Sequence, residues 1–225
     1  MSRLVFLPLW LAMALHFAWT RHHLSVQYAP GTLEALIAGT AATPFQYRAL
    51  VPWLAAGLAR LTEWGPGPLF FLLDAVSCLG LLAALFALTR PLLGDGTARG
   101  GLALLAWLAL PSLFLLNPED NFRYPYDLPS IIVFALGLML LRAGRLWAFL
   151  ILLVLGTLNR ETTLFLIPAF LATHRDRLPR GRLILHAGLQ LAAWAAVKAG
   201  LALLYAGNAG PGAMSWRSGD YTQTE

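Results

Sequence analysis

Residues 69–89 read Leu69-Phe70-Phe71-Leu72-Leu73-Asp74-Ala75-Val76-Ser77-Cys78-Leu79-Gly80-Leu81-Leu82-Ala83-Ala84-Leu85-Phe86-Ala87-Leu88-Thr89, an apolar run with one charge, at Asp74. A helix needs about 20 apolar residues to cross the hydrocarbon of a bilayer. A helix that is apolar all round, as this one would be, belongs in lipid or in a large core. The break Gly65-Pro66-Gly67-Pro68 sets its start and Arg90 its end.

The pattern recurs on both sides. Of 225 residues, 58% are hydrophobic and 12% charged, and a soluble domain carries about twice that charged share. Such a chain lacks the polar groups to cover a globule. Apolar runs at residues 4–20, 51–61, 100–116, 131–141, 146–170 and 183–204 alternate with short basic or polar loops. The expected fold is all-α: a polytopic helical membrane protein with about 5–7 membrane helices, some short, broken or re-entrant. Residues 1–206 form one transmembrane domain in this reading, and 207–225 form a polar, Gly-rich, flexible tail. The tail stops without a capping element, as in a fragment or a shortened member of something longer. The first run reads as a retained signal-anchor rather than a cleaved signal peptide, because further spans follow.

The formal net charge is +5, but the arginines sit in clusters between spans. No basic stripe with interleaved aromatics offers a surface to nucleic acid. By the positive-inside rule, the clusters at residues 90–99, 142–145 and 175–182 face the cytoplasm, as does the N-terminus. The loop 117–129, with Glu119, Asp120 and Asp127 against Arg123, faces out. The arginines on either side of residues 146–170 cannot both be cytoplasmic if that run crosses once. Two short helices meeting at Asn159-Arg160-Glu161-Thr162 resolve the conflict. Each arm, about 12 residues or 18 Å long, then ends inside the outer part of the membrane. A break there needs protein or a water-filled cavity to cover its freed backbone groups.

Charges inside spans are costly, so they are the first places to look for function. Asp74, Lys198, Arg160 and Glu161 fall at about one depth when counted at 1.5 Å per residue. They either line a shared polar pocket or form a buried ion-pair network that fixes helix register. The loop Asn117-Pro118-Glu119-Asp120-Asn121-Phe122-Arg123-Tyr124-Pro125-Tyr126-Asp127 is the densest polar cluster. Its carboxylates suit a general base or a divalent-cation ligand set, and its tyrosines suit the interface. A solvated loop would look the same, and Asp127 before a span also fits a helix cap.

The segment Thr43-Pro44-Phe45-Gln46-Tyr47-Arg48 keeps an arginine on the outer side, against the charge bias. Gripping a phosphate would explain it. His22-His23 point in different directions on a helix and make a poor metal pair. Gly94-Asp95-Gly96 lacks the Lys-Ser/Thr of a phosphate loop. The single cysteine, Cys78, has no internal partner for a disulfide.

Pro44-Phe45-Gln46-Tyr47-Arg48 with Pro52, Tyr126-Asp127 before a short span, and Leu158-Asn159-Arg160-Glu161-Thr162 resemble strings in bacterial multi-spanning proteins. That group is similar to the GT-C class of polytopic glycosyltransferases. The resemblance covers residues 44–168 and implies a bacterial inner-membrane enzyme. Such an enzyme takes a sugar from a polyprenyl-phosphate lipid at the outer face. It implies Glu34 or Asp127 as base; Glu161, a charge inside a span expected to converge with Asp127 and Arg160, is a third catalytic candidate. Arg48 and Arg160 would grip the phosphate. Gln46, Tyr47, Asp120, Arg123, Tyr126 and Asn159 would complete the substrate site. No cofactor is required, although a divalent cation is compatible. The class usually places a clear acidic residue in its first outer loop, where this chain offers only Glu34.

Three functions follow. A lipid-linked sugar transferase requires Asp127, Arg160 and Glu161 to converge. A transporter or flippase requires a polar path through several spans, and the inner halves of these spans are nearly free of charge. A non-catalytic partner of another membrane protein would use small-residue faces such as Ala55-Ala56-Gly57 and Ala192-Ala193 with Ala195-Ala196.

Overall fold

A computed structural model describes residues 6–94, 96–115 and 122–210. Its helices are α1 (Phe6–Leu24), α2 (Leu33–Ala38), α3 (Leu50–Thr62), α4 (Pro66–Leu88) and α5 (Arg90–Leu93). They continue with α6 (Gly96–Phe114), α7 (Asp127–Arg142), α8 (Leu146–Asn159), α9 (Leu166–His174) and α10 (Arg180–Leu204). Among the described residues there is no strand beyond one isolated bridge, Val26 to Phe122.

The chain is an all-α membrane protein. Among the described residues three stretches are long and apolar enough to cross a bilayer: Pro66–Leu93, Gly96–Phe114 and Arg180–Leu204. The other expected spans are shorter or more polar. α7 has 16 residues and α8 has 14, and α1 carries Arg21, His22 and His23 in its last turn. The sequence reading ended the first span at Arg21, but the helix runs on to Leu24. Arg21 stays in the helix because it is fully buried against a carboxylate, and so it does not need water.

Packing defines two ends. Trp10 meets Phe86 with ring centroids 5.2 Å apart, while Arg21 meets Asp74, so α1 and α4 run antiparallel. Arg99 reaches the Phe86 carbonyl and Trp107 Nε1 donates to the Met13 carbonyl at 2.9 Å, which sets α6 parallel to α1. α7 runs back beside α4, and α8 returns along α7. One end of the bundle thus gathers the Arg90–Arg99, Arg142–Arg145 and Arg175–Arg182 clusters. The other gathers the C-terminal ends of α1, α6, α8 and α10 with the N-terminal ends of α4 and α7.

The run from Leu146 does break where charge bias required. α8 stops at Asn159, a 3-10 turn covers Glu161–Phe165, and α9 descends from Leu166. Phe149 stacks on Phe170 at 6.5 Å, which makes α8 and α9 the arms of a hairpin. Its apex is closed by a bond between Thr157 Oγ1 and Thr163 Oγ1 at 2.9 Å and by Thr163 Oγ1 donating to the Arg160 carbonyl at 3.1 Å. Gly156 allows this closeness. A Cβ there would lie 2.5 Å from Val133 Cγ1 and 2.7 Å from Thr163 Cγ2. In lipid there is little hydrophobic drive between helices, so such close backbone approach supplies the packing.

The first residues of the expected tail do not stand free. Asn208 Nδ2 donates to the carbonyls of Gly39 at 2.9 Å and Ala41 at 2.7 Å, and the Ala209 carbonyl accepts from Thr43 N at 2.8 Å. Trp53 Nε1 donates to Tyr205 Oη at 3.0 Å. These bonds strap the end of α10 onto the segment that carries Arg48.

Candidate functional site

The polar end of the bundle holds one continuous ionic network with a sealed lobe and an open one. The sealed lobe centres on Asp74, about two turns into α4, which Pro66 and Pro68 initiate. Asp74 Oδ1 accepts from Arg21 Nη1 at 2.9 Å. Asp74 Oδ2 accepts from Arg123 Nη2 at 2.9 Å and Nε at 3.1 Å. The side chains of Arg21, Arg123 and Asp74 are at most 5% exposed. Arg123 Nη1 also donates to His22 Nδ1 at 2.7 Å, which leaves the ring proton on Nε2. A carboxylate clamped by two guanidiniums and shut from water fixes the register of α1, α4 and the loop before α7; it has no room for a ligand.

Arg21 bridges the lobes. Its Nη2 donates to the Tyr124 carbonyl at 2.8 Å and stands 3.6 Å from Asp127 Oδ2. Asp127 Oδ1 accepts from Arg160 Nη1 at 2.9 Å. Asp127 is the first residue of α7, with Tyr126 at the cap position. Its carboxylate is turned to two arginines, not to the helix's own amides.

The open lobe is built on the hairpin apex. Arg48 Nη1 donates to Tyr126 Oη at 2.7 Å, and Nη2 lies 3.5 Å from Glu161 Oε1. Its guanidinium sits 4.6 Å from the Tyr126 ring centroid. Burial pushes the Tyr126 phenol well above the usual tyrosine range, and the neighbouring Arg48 offsets only part of this. The phenol therefore keeps its proton while accepting from Arg48. Lys198 Nζ lies 4.9 Å over the Tyr47 ring and acts through space on Glu161. The side chains of Arg160 and Glu161 are 34% and 35% exposed, against 12% for Asp127. The lobe opens on the side of those two residues.

The apex is anchored from below. Asn159 Nδ2 donates to the Tyr126 carbonyl and to Ser130 Oγ, both at 2.9 Å. Trp194 Nε1 of α10 donates to the Glu161 carbonyl at 3.0 Å. Freed backbone groups at the break thus find protein partners, as irregular backbone within a membrane must.

Asp74, Arg123, Asp127, Tyr126, Asn159, Arg160, Glu161, Arg48, Tyr47 and Lys198 therefore share one region. Glu34 does not join them. It is exposed in the first turn of α2 and takes no part in the network. Gln46 is fully buried: its Oε1 accepts from Ala41 N at 3.0 Å and its Nε2 donates to the Leu36 carbonyl at 3.3 Å. Its amide holds the loop after α2 and offers nothing outward. Asp120 and Glu119 lie outside the described residues. Among the described residues no three His, Cys, Asp or Glu side chains converge to hold a metal ion.

Arg21 is the member that sequence reasoning passed over. A signal for it exists in helical spacing: Ala14, Phe17, Ala18 and Arg21 lie on one face and are each at most 1% exposed. Ser130 and Trp194 carry no comparable signal; only the fold brings them to the apex. No family model, curated protein or solved structure matches the chain.

Proposed function

We propose that the open lobe binds the phosphate of a polyprenyl-phosphate-linked sugar and that the protein is a glycosyltransferase of the GT-C type. The supporting observation is charge. Five cations, Arg21, Arg48, Arg123, Arg160 and Lys198, meet three carboxylates, Asp74, Asp127 and Glu161, among the described residues. An uncompensated cation at a half-buried site calls for an anion, and a guanidinium fork matches phosphate oxygens. The arginine clusters lie at the other end, so by charge bias this end faces outward and the N-terminus is cytoplasmic. A bacterial inner membrane, which has such a lipid on that side, fits the reading.

Glu161 suits the base better than Asp127. Asp127 holds arginines on both oxygens, whereas among the described residues the Glu161 carboxylate has one side-chain partner, Arg48, at 3.5 Å. In the proposed step Glu161 takes the proton of an acceptor hydroxyl, the acceptor oxygen bonds to the anomeric carbon, and the carbon–phosphate oxygen bond breaks. Arg48 and Arg160 stabilise the departing phosphate, a charge that grows in the transition state. A second reading, a non-catalytic partner of another membrane protein, draws on α10, whose spanning window is only 11% buried.

The test is mass spectrometry of lipids that copurify with the full chain in mild detergent. Polyprenyl phosphate or its sugar adduct should be present in wild type and in Glu161→Gln, and depleted in Arg48→Ala and Arg160→Ala variants that keep the wild-type Tm. Bulk phospholipid alone, equal in all four samples, would reject the transferase reading and favour the partner one.

A further inference from the structure

The opposite, arginine-rich end of the bundle contains a cavity that the network does not use. Trp10, Phe86, Ala87, Arg90, Arg99 and Met139 line about 360 Å³ between α1, α4, α5, α6 and α7. Its lining is mostly apolar and includes two arginines.

Arg99 is held in place. Its Nε and Nη2 donate to the Phe86 carbonyl at 2.9 and 2.6 Å, and its guanidinium lies 3.9 Å from the Phe86 ring centroid. The Phe86 ring is in turn braced edge-on by Trp10. This fixes the orientation of the charge without neutralising it, because a carbonyl and a ring carry no net negative charge. Arg90 projects from the start of α5 and is exposed. Neither arginine has a carboxylate partner among the described residues.

Two like charges on one apolar cavity repel and await an anion. The occupant also needs apolar character to suit Trp10, Ala87 and Met139. The volume takes a headgroup and the first carbons of its chains but not two full acyl chains. The two helices that carry the arginines also present apolar surface for those chains, with Leu92 of α5 and Leu105 of α6 75% and 63% exposed. We propose that this cavity binds the headgroup phosphate of an anionic phospholipid, with Arg90 and Arg99 as its ligands. The site is separate from the open lobe and does not depend on the transferase reading.

Native mass spectrometry of the full chain in mixed micelles tests this, with phosphatidylglycerol, phosphatidylcholine or inorganic phosphate as the added probe. Phosphatidylglycerol should be retained in preference to phosphatidylcholine, and inorganic phosphate should not compete it off. Arg90→Gln should weaken retention by about fivefold, the worth of one arginine at an anionic surface. Met139→Trp, which fills the cavity and keeps every charge, should remove the preference. Arg142→Gln, at the same end but outside the cavity, should leave it intact. Equal retention of the two lipids would overturn the site, as would an Arg142→Gln loss equal to that of Arg90→Gln. Full competition by inorganic phosphate would replace the lipid with a free anion and also reject the proposal.

Discussion

Arg21 Nη1 stands 2.9 Å from Asp74 Oδ1, and neither side chain reaches the surface. Removing the carboxylate leaves Arg21 and Arg123 facing each other across a vacated site with no anion between them. Breaking a buried pair from one side costs about 3–5 kcal/mol, far more than the pair contributes over an apolar replacement. Asp74→Ala should therefore lower the Tm in detergent steeply. Replacing all three as Arg21→Met, Asp74→Leu and Arg123→Met should recover much of the loss. An Asp74→Ala protein as stable as wild type would show that the sealed lobe does not hold the helices in register.

Gly156 gives a second stability prediction, independent of charge. A methyl at this position would push into Val133 Cγ1 and Thr163 Cγ2, the methyls of two buried β-branched side chains that are stiff at χ1. Overpacking of this kind costs about 1–3 kcal/mol. Gly156→Ala should lower stability by that order, and Val133→Ala in the same chain should restore part of it. Additive losses in the double variant would mean that the clash is not between those two residues.

The all-α fold and the break at Asn159 were legible because they follow from rules that act along the chain. Apolar run length marks helices, and arginines on both sides of residues 146–170 require the hairpin. The gathering of Asp74, Arg160, Glu161 and Lys198 was legible from depth counting alone. What depth could not give was the division of the network. Asp74 and Asp127 sit at similar heights, yet one is sealed and the other borders the opening, because rotation about each helix axis decides who faces whom. Arg21 was hidden for the same reason. At the end of an apolar run it looks like an interfacial stop, and only its partner makes it a buried residue. Gln46 fell the other way: a polar side chain beside Arg48 looked like a ligand group, but its amide satisfies backbone groups of a tight loop.

The strap at the end of α10 should matter to the Arg48 segment. Asn208 supplies two bonds from one amide to carbonyls that flank a turn through Gly39, whose φ of 77° needs glycine. Each such bond contributes about 0.5–1.5 kcal/mol net. Asn208→Ala should raise hydrogen exchange in residues 39–48 while leaving α4 and α7 protected. Unchanged exchange in that segment would mean that α2 and α3 hold it without help.

Arg48 and Tyr126 carry the last prediction. Tyr126→Phe keeps the ring beneath the guanidinium but removes the oxygen that accepts from Nη1 at 2.7 Å. Side-chain hydrogen bonds between segments of membrane proteins contribute about 0.6 kcal/mol on average, so the Tm should fall only slightly. Retention of lipid phosphate should fall severalfold, because Arg48 is no longer aimed. Arg48→Lys should lose more, since an ammonium cannot reach Tyr126 and Glu161 with separate nitrogens. Burial holds the phenol protonated beyond about pH 10, the ordinary tyrosine value, so wild-type retention should not drop as pH rises toward it. Quantifying bound lipid in wild type and both variants decides the matter. Equal retention in all three would show that Arg48 is a structural cation, and that the phosphate, if bound, is held by Arg160 and Lys198.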